Sequence, residues 1–192
     1  MTPDVAPAAR EMSRLLASID DDQLNGRTPC EDYRLGDLVD HIVTLVDGFT
    51  AAAAKKPDPA PEGPTADASR LPADWRDGID ASLDLLVDAW SDPEAWEGRT
   101  HVGGLALDGR EAGVVVLGEL VVHGWDVARA IGEPYRPDPP TLALVTQFVT
   151  AAAANPVPGL FAPPVSPPED ASELDRAVAL SGRNPGWDPD DR

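Results

Sequence analysis

The residues of this 192-residue chain best able to do chemistry are a glutamate and two histidines set among apolar neighbours. Glu119 and His123 stand four apart in GELVVHGWD. On a helix, residues four apart share a face and their Cα atoms rise only about 6 Å, so carboxylate and imidazole can meet on one ion. On a strand the same four steps span about 13 Å, too far for a shared ligand without a bend. An ordinary ion pair at this spacing is the simpler alternative, worth a few tenths of a kcal/mol. The surroundings weigh against it. Val114 to Val122 is nearly all apolar, and a carboxylate buried there is costly unless paired or bound to a metal.

His41 is the third member. It follows Leu38 by three and precedes Leu45 by four, on an apolar stripe. Taken singly, such an imidazole is a core histidine satisfied by one hydrogen bond. Joined to Glu119 and His123, it completes a His-Glu-His set with an open coordination position, the pattern of a reactive zinc site and not of a closed structural one. Nickel, iron or manganese would accept the same nitrogen and oxygen ligands.

Other polar residues have weaker claims. Asp126, three after His123, can accept from a ligand imidazole or pair with Arg129 or Arg110 on the helix surface. Asp37, four before His41, has the same first option. Cys30 follows Thr28-Pro29 and reads as a small residue packed ahead of a helix, with only Arg27 and Arg34 nearby to favour a thiolate. His101, in RTHVGG, reads as exposed. Arg183 in GRNPGW can meet an anionic substrate or pin the C-terminus through a carboxylate, and Trp90, Trp125 and Trp187 read as core or pocket wall.

Helical segments must position these groups. The first opens with Thr2 as N-cap and Pro3 at the first helical position; Val5, Ala8, Met12, Leu15, Leu16 and Ile19 form its apolar face. The second runs from about Arg34 to Ala54 and carries His41. Residues 55–72 hold five prolines and little that is apolar, which predicts a flexible linker. A third helix covers about Ala73 to Ser91, with Trp75, Ile79, Leu83, Leu86 and Trp90 in register. Asp92 to Gly109 reads as irregular. The segment from Arg110 to Ile131 is ambiguous: Val114-Val115-Val116 suits a strand, whereas the length and the Gly132 stop favour a helix. A fifth helix covers about Pro140 to Ala154. Beyond it, 156–192 reads as an irregular C-terminal segment ending in one short turn, SELDRAVAL. No alternation of strand and helix suggests a parallel sheet. The expectation is an all-α, up-and-down four-helix bundle with additional C-terminal helical elements, forming one domain over residues 1–192.

Composition narrows the partners. Fifteen basic against 34 acidic residues give a net charge of −19, a field that opposes binding to nucleic acid and to anionic membranes. One cysteine allows no internal disulfide. No secretory signal and no membrane-spanning run are visible, so a cytoplasmic location is expected.

Taken together, GELVVHGWDVARAIG, TPCEDYRLGDLVDHIV and LSGRNPGW resemble the actinobacterial metal-binding proteins of the DinB-like superfamily, in the mycothiol-dependent maleylpyruvate isomerase group. The resemblance spans about Thr28 to Trp187. It implies a metal bound by His41, Glu119 and His123. It further implies a transferase or isomerase that activates a low-molecular-weight thiol, mycothiol, against an electrophilic small-molecule substrate. A non-catalytic metal-containing bundle with a binding or regulatory role is the alternative. Two departures stand out: Tyr33 occupies the place of the usual tryptophan, and no room remains for the isomerases' separate C-terminal domain, which helps hold the thiol.

Overall fold

A computed structural model describes residues 2–156 and 159–190. Val157 and Pro158 in the proline-rich C-terminal stretch, and residues 1, 191 and 192, lie outside the described part. The elements are α1 (Ala6–Ala17), α2 (Leu35–Ala53), α3 (Trp75–Ser91), strands β1 (Arg99–Val102) and β2 (Leu105–Asp108), then α4 (Gly109–Ile131), α5 (Pro139–Ala154) and α6 (Glu173–Leu180). The predominantly helical expectation holds. α1 and α2 each pack on both α3 and α4, which closes a four-helix bundle; α5 lies on α4, and α6 on α5.

The helical stripes face one core. Leu15 and Leu16 of α1, Leu38, Ile42 and Val46 of α2, Leu86 of α3, and Val116, Leu117 and Val121 of α4 are all buried, each such side chain contributing about 1.5–3 kcal/mol in transfer terms. The two core indoles are matched: Trp90 Nε1 donates to the Phe49 carbonyl at 3.2 Å and Trp96 Nε1 to the Trp90 carbonyl at 2.8 Å.

The structure alters several boundaries. α1 begins at Ala6, because the Asp4 carboxylate accepts from the Ala6 N–H and Pro7 suits the first turn. The stretch read as irregular contains a β-hairpin, with Val102 paired to Leu105 across Gly103-Gly104. Both glycines have positive φ, +56° and +76°, which is what a tight two-residue hairpin loop demands. The final turn is a full helix, α6, held by a capping box between Ser172 and Asp175. Within 55–72, the Thr65 hydroxyl and the Asp67 N–H both donate to buried Asp40 of α2, at 2.8 and 3.0 Å, and residues 68–70 form a 3-10 turn.

The ambiguous segment is helical throughout. A capping box between Asp108 and Glu111 starts α4, and Gly132 ends it in the left-handed conformation. Glycines let neighbours approach: an added Cβ would lie 2.6 Å from Phe148 at Gly118 and 3.0 Å from Tyr135 at Gly124. At Gly113 it would lie 2.3 Å from the Trp96 ring and 2.8 Å from Trp90. Gly113→Ala should therefore lower stability by about 1–3 kcal/mol, since two indoles packed edge to face must shift. The gain in helix propensity, about 0.5–1 kcal/mol, offsets only part of that. Urea unfolding measures it, and a variant at least as stable as the parent would show that the indole pair yields freely.

Candidate metal centre

α2 and α4 meet where their apolar stripes are interrupted by polar residues. His41 comes from α2, Glu119 and His123 from α4. One ligand atom from each lies within 4.8 Å of the other two. His123 Nε2 is 3.1 Å from a Glu119 oxygen, so the helical i, i+4 spacing does bring carboxylate and imidazole together. The His41 and His123 rings stand edge to face, with centroids 5.0 Å apart, and the Tyr33 ring packs tilted against His41, also at 5.0 Å. All three are largely enclosed: His41 is 8% and His123 5% exposed, and the Glu119 side chain 11%.

Burial sets the charge states. Burial, reinforced by the charge of His123, pulls the His41 imidazole down to about 4, so it is neutral at neutral pH. Burial opposes ionisation of Glu119 as well, but the bond from His123 and the nearby imidazoles outweigh it and hold this carboxyl below its usual range. In His123, burial is outweighed by hydrogen bonds to Asp126 and Glu119, which raise its basicity.

Asp126 is completely buried. It therefore makes no surface pair with Arg110 or Arg129. Its Oδ2 lies 3.0 Å from His123 Nδ1, and a carboxylate there favours the tautomer with Nδ1–H, leaving Nε2 turned toward Glu119. The same carboxylate receives Arg183, Nη2 at 3.0 Å and Nε at 3.3 Å. Arg183, 6% exposed, is thus the pin of the C-terminus. Asp37 serves elsewhere: it accepts the Arg34 and Ala68 N–H groups at the start of α2. Cys30 is half-buried, and burial pushes its thiol up to about 11 despite the pull of Arg183, so the packing role fits. His101 is exposed on β1. Trp125 and Trp187 form a small separate cluster with Val178, and Trp90 belongs to the main core.

A family model for the mycothiol maleylpyruvate isomerase N-terminal domain matches residues 5–128. The chain belongs to that family. Among similar proteins, two uncharacterized proteins from two strains of Mycobacterium tuberculosis are each 28% identical over 179 residues, covering 88% of this chain and 90% of theirs. Among solved structures, a histidine-to-alanine mutant of the mycothiol-dependent maleylpyruvate isomerase superposes with a TM-score of 0.52 at 14% identity. That match covers 76% of this chain and 66% of the isomerase chain, and at such identity the likeness is one of fold. The part matched to the N-terminal-domain family holds His41, Glu119, His123 and Asp126. Arg183 and Trp187 lie beyond it.

The residues fit a divalent cation. Two imidazole nitrogens and a carboxylate oxygen converge, and His41 Nδ1 is buried with no hydrogen-bond partner among the described residues. A buried imidazole nitrogen left unsatisfied is costly unless something else meets that ring. Among the described residues, no helix is long and apolar enough to cross a membrane.

Proposed function

We propose that the chain binds one divalent cation, zinc first, on His41, Glu119 and His123, and uses it to activate a low-molecular-weight thiol such as mycothiol. The product would be a thiol-dependent transfer or isomerisation of an electrophilic substrate. The observation that carries this reading is the convergence of the three donors within 4.8 Å. Membership of the mycothiol maleylpyruvate isomerase N-terminal domain family supports the thiol. Zinc is preferred because two imidazoles and one carboxylate leave a position open in its four-coordinate shell, although nickel, iron and manganese take the same donors. A divalent ion bound there supplies a Lewis-acidic position at which a thiol is held as thiolate at neutral pH.

The chain's own residues do the rest. His41 enters as a neutral ligand, and Glu119 contributes the one negative charge of the set. Asp126 holds His123 by Nδ1, so its Nε2 stays directed at the ion's place. Around them, Met12, Ile42, Leu45, Val46, Phe49, Leu86, Val116 and Leu120 exclude water from the inner side. Low dielectric there strengthens every charge interaction.

One observation favours a second reading, a metal-holding bundle without catalysis. The cavity beside Glu119 and His123 measures only about 10 Å³, room for roughly one water. Calorimetry separates the two readings. With zinc-loaded protein, mycothiol or a small surrogate thiol should bind and release a proton, and the metal-free protein should bind none. Equal affinity with and without zinc would remove the thiol mechanism. No binding to either form would favour the non-catalytic bundle.

A further inference from the structure

The C-terminal arm after α5 lies outside the part matched to the family, yet it reaches α4 at three places. Arg183 enters the bundle and grips both oxygens of Asp126, while its Nη1 donates to the Ser181 carbonyl at 2.9 Å. Arg129 of α4 donates to the Trp187 carbonyl. Trp187 itself packs on Trp125 and Val178. The turn that aims Arg183 is fixed as well: Gly182 has φ +85° and abuts the Ala162 backbone, and the Arg183 N–H closes on the Val178 carbonyl at 3.0 Å. These anchors on α4 stand two, three and six residues after His123.

We infer that Arg183 is a positioning residue of the metal centre, acting through Asp126 on His123 so that the guanidinium–carboxylate contact, and not the arm's stability, sets the affinity for the metal. The inference rests on the metal-binding reading above. Asp126 Oδ2 faces two groups at 3.0 Å, His123 Nδ1 and Arg183 Nη2. A carboxylate tied only to an imidazole can rotate about its bond to Cβ. A two-pronged guanidinium fixes its plane. With the plane fixed, Oδ2 stays on Nδ1, and Nε2 stays beside Glu119. The charge matters too. Arg183 is the one permanent cation in contact with this buried carboxylate among the described residues, and a charge-assisted, two-pronged bond holds the carboxylate more firmly than a neutral donor would.

The test titrates zinc against a chromophoric chelator and records the visible spectrum of the cobalt-loaded protein. Arg183→Gln should weaken zinc binding by about 10–100-fold, the size of loss that follows removal of outer partners of metal-bound histidines, and should shift the cobalt bands. Arg183→Lys restores the charge but not the fork, and should fall between Gln and parent. Because Arg183→Gln strands a buried carboxylate, the double variant Asp126→Asn/Arg183→Gln provides a neutral version in which the affinity loss should persist. Ser172→Ala removes the cap of α6 without touching Asp126, and should loosen the arm while leaving zinc affinity unchanged. Parent-like zinc affinity and cobalt bands in both the Gln and the double variant would overturn the inference. So would an equal loss in Ser172→Ala, which would trace the effect to arm stability. A parent chain that takes up neither zinc nor cobalt would overturn the metal reading itself, and this inference with it.

Discussion

His123→Ala should yield purified protein with only a trace of metal, where the parent should carry close to one divalent ion per chain. The variant removes one of three donors and also the ring that Asp126 orients. Loss of an outer partner alone costs about 10–100-fold in affinity, so loss of the ligand itself should exceed about 100-fold. Glu119 then keeps a buried carboxylate without its 3.1 Å partner, a penalty of about 1–3 kcal/mol or more in stability. Glu119→Ala should strip the ion equally. Elemental analysis of the variants reads the result. Stoichiometric metal retained in His41→Ala/His123→Ala would sink the assignment of the site.

The second large effect needs no metal. Asp126→Leu should destabilise the chain by about 3–5 kcal/mol, because it leaves the Arg183 guanidinium buried without its carboxylate. Asp126→Leu/Arg183→Met removes both charges and should recover a large part of that loss, since apolar pairs of similar volume replace buried ion pairs at little cost. Chemical denaturation of the two single variants and the double closes the cycle. Additive losses, with no recovery in the double, would show that the pair is not energetically coupled.

What the sequence made legible was local. The 3.6-residue spacing of Leu38, Ile42 and Leu45 placed His41 on the inward face of α2, and the four-residue step from Glu119 to His123 needed only a helix to become a contact. Joining His41 to that pair drew on ligand chemistry and on the resemblance, because nothing in the spacing of residues 41 and 119 announces that they meet. Arg183 illustrates the limit: Asp126 and its partner stand 57 residues apart, and no periodicity links them. The same holds for Asp40, whose partners Thr65 and Asp67 lie in a proline-rich stretch with no apolar pattern. The hairpin was a missed signal of another kind. Gly103-Gly104 between two short runs is a hairpin mark, and it was masked by the shortness of the strands, four residues each.

The makeup of α4 bears on when the site comes into being. Three interior glycines cost a helix about 0.5–1 kcal/mol each relative to alanine, and the Val114-Val115-Val116 run resists helical rotamers. Such a segment has little reason to coil before its neighbours arrive, and helices of this length depend on packing even with better sequences. The indoles against Gly113 and the ring against Gly118 reward the helix only after the bundle has closed. Glu119 and His123 therefore acquire their shared face late on the folding path. A cation captured by them would then act after the rate-limiting step, and its stabilisation should be felt as slower unfolding, with the rate of folding left nearly unchanged.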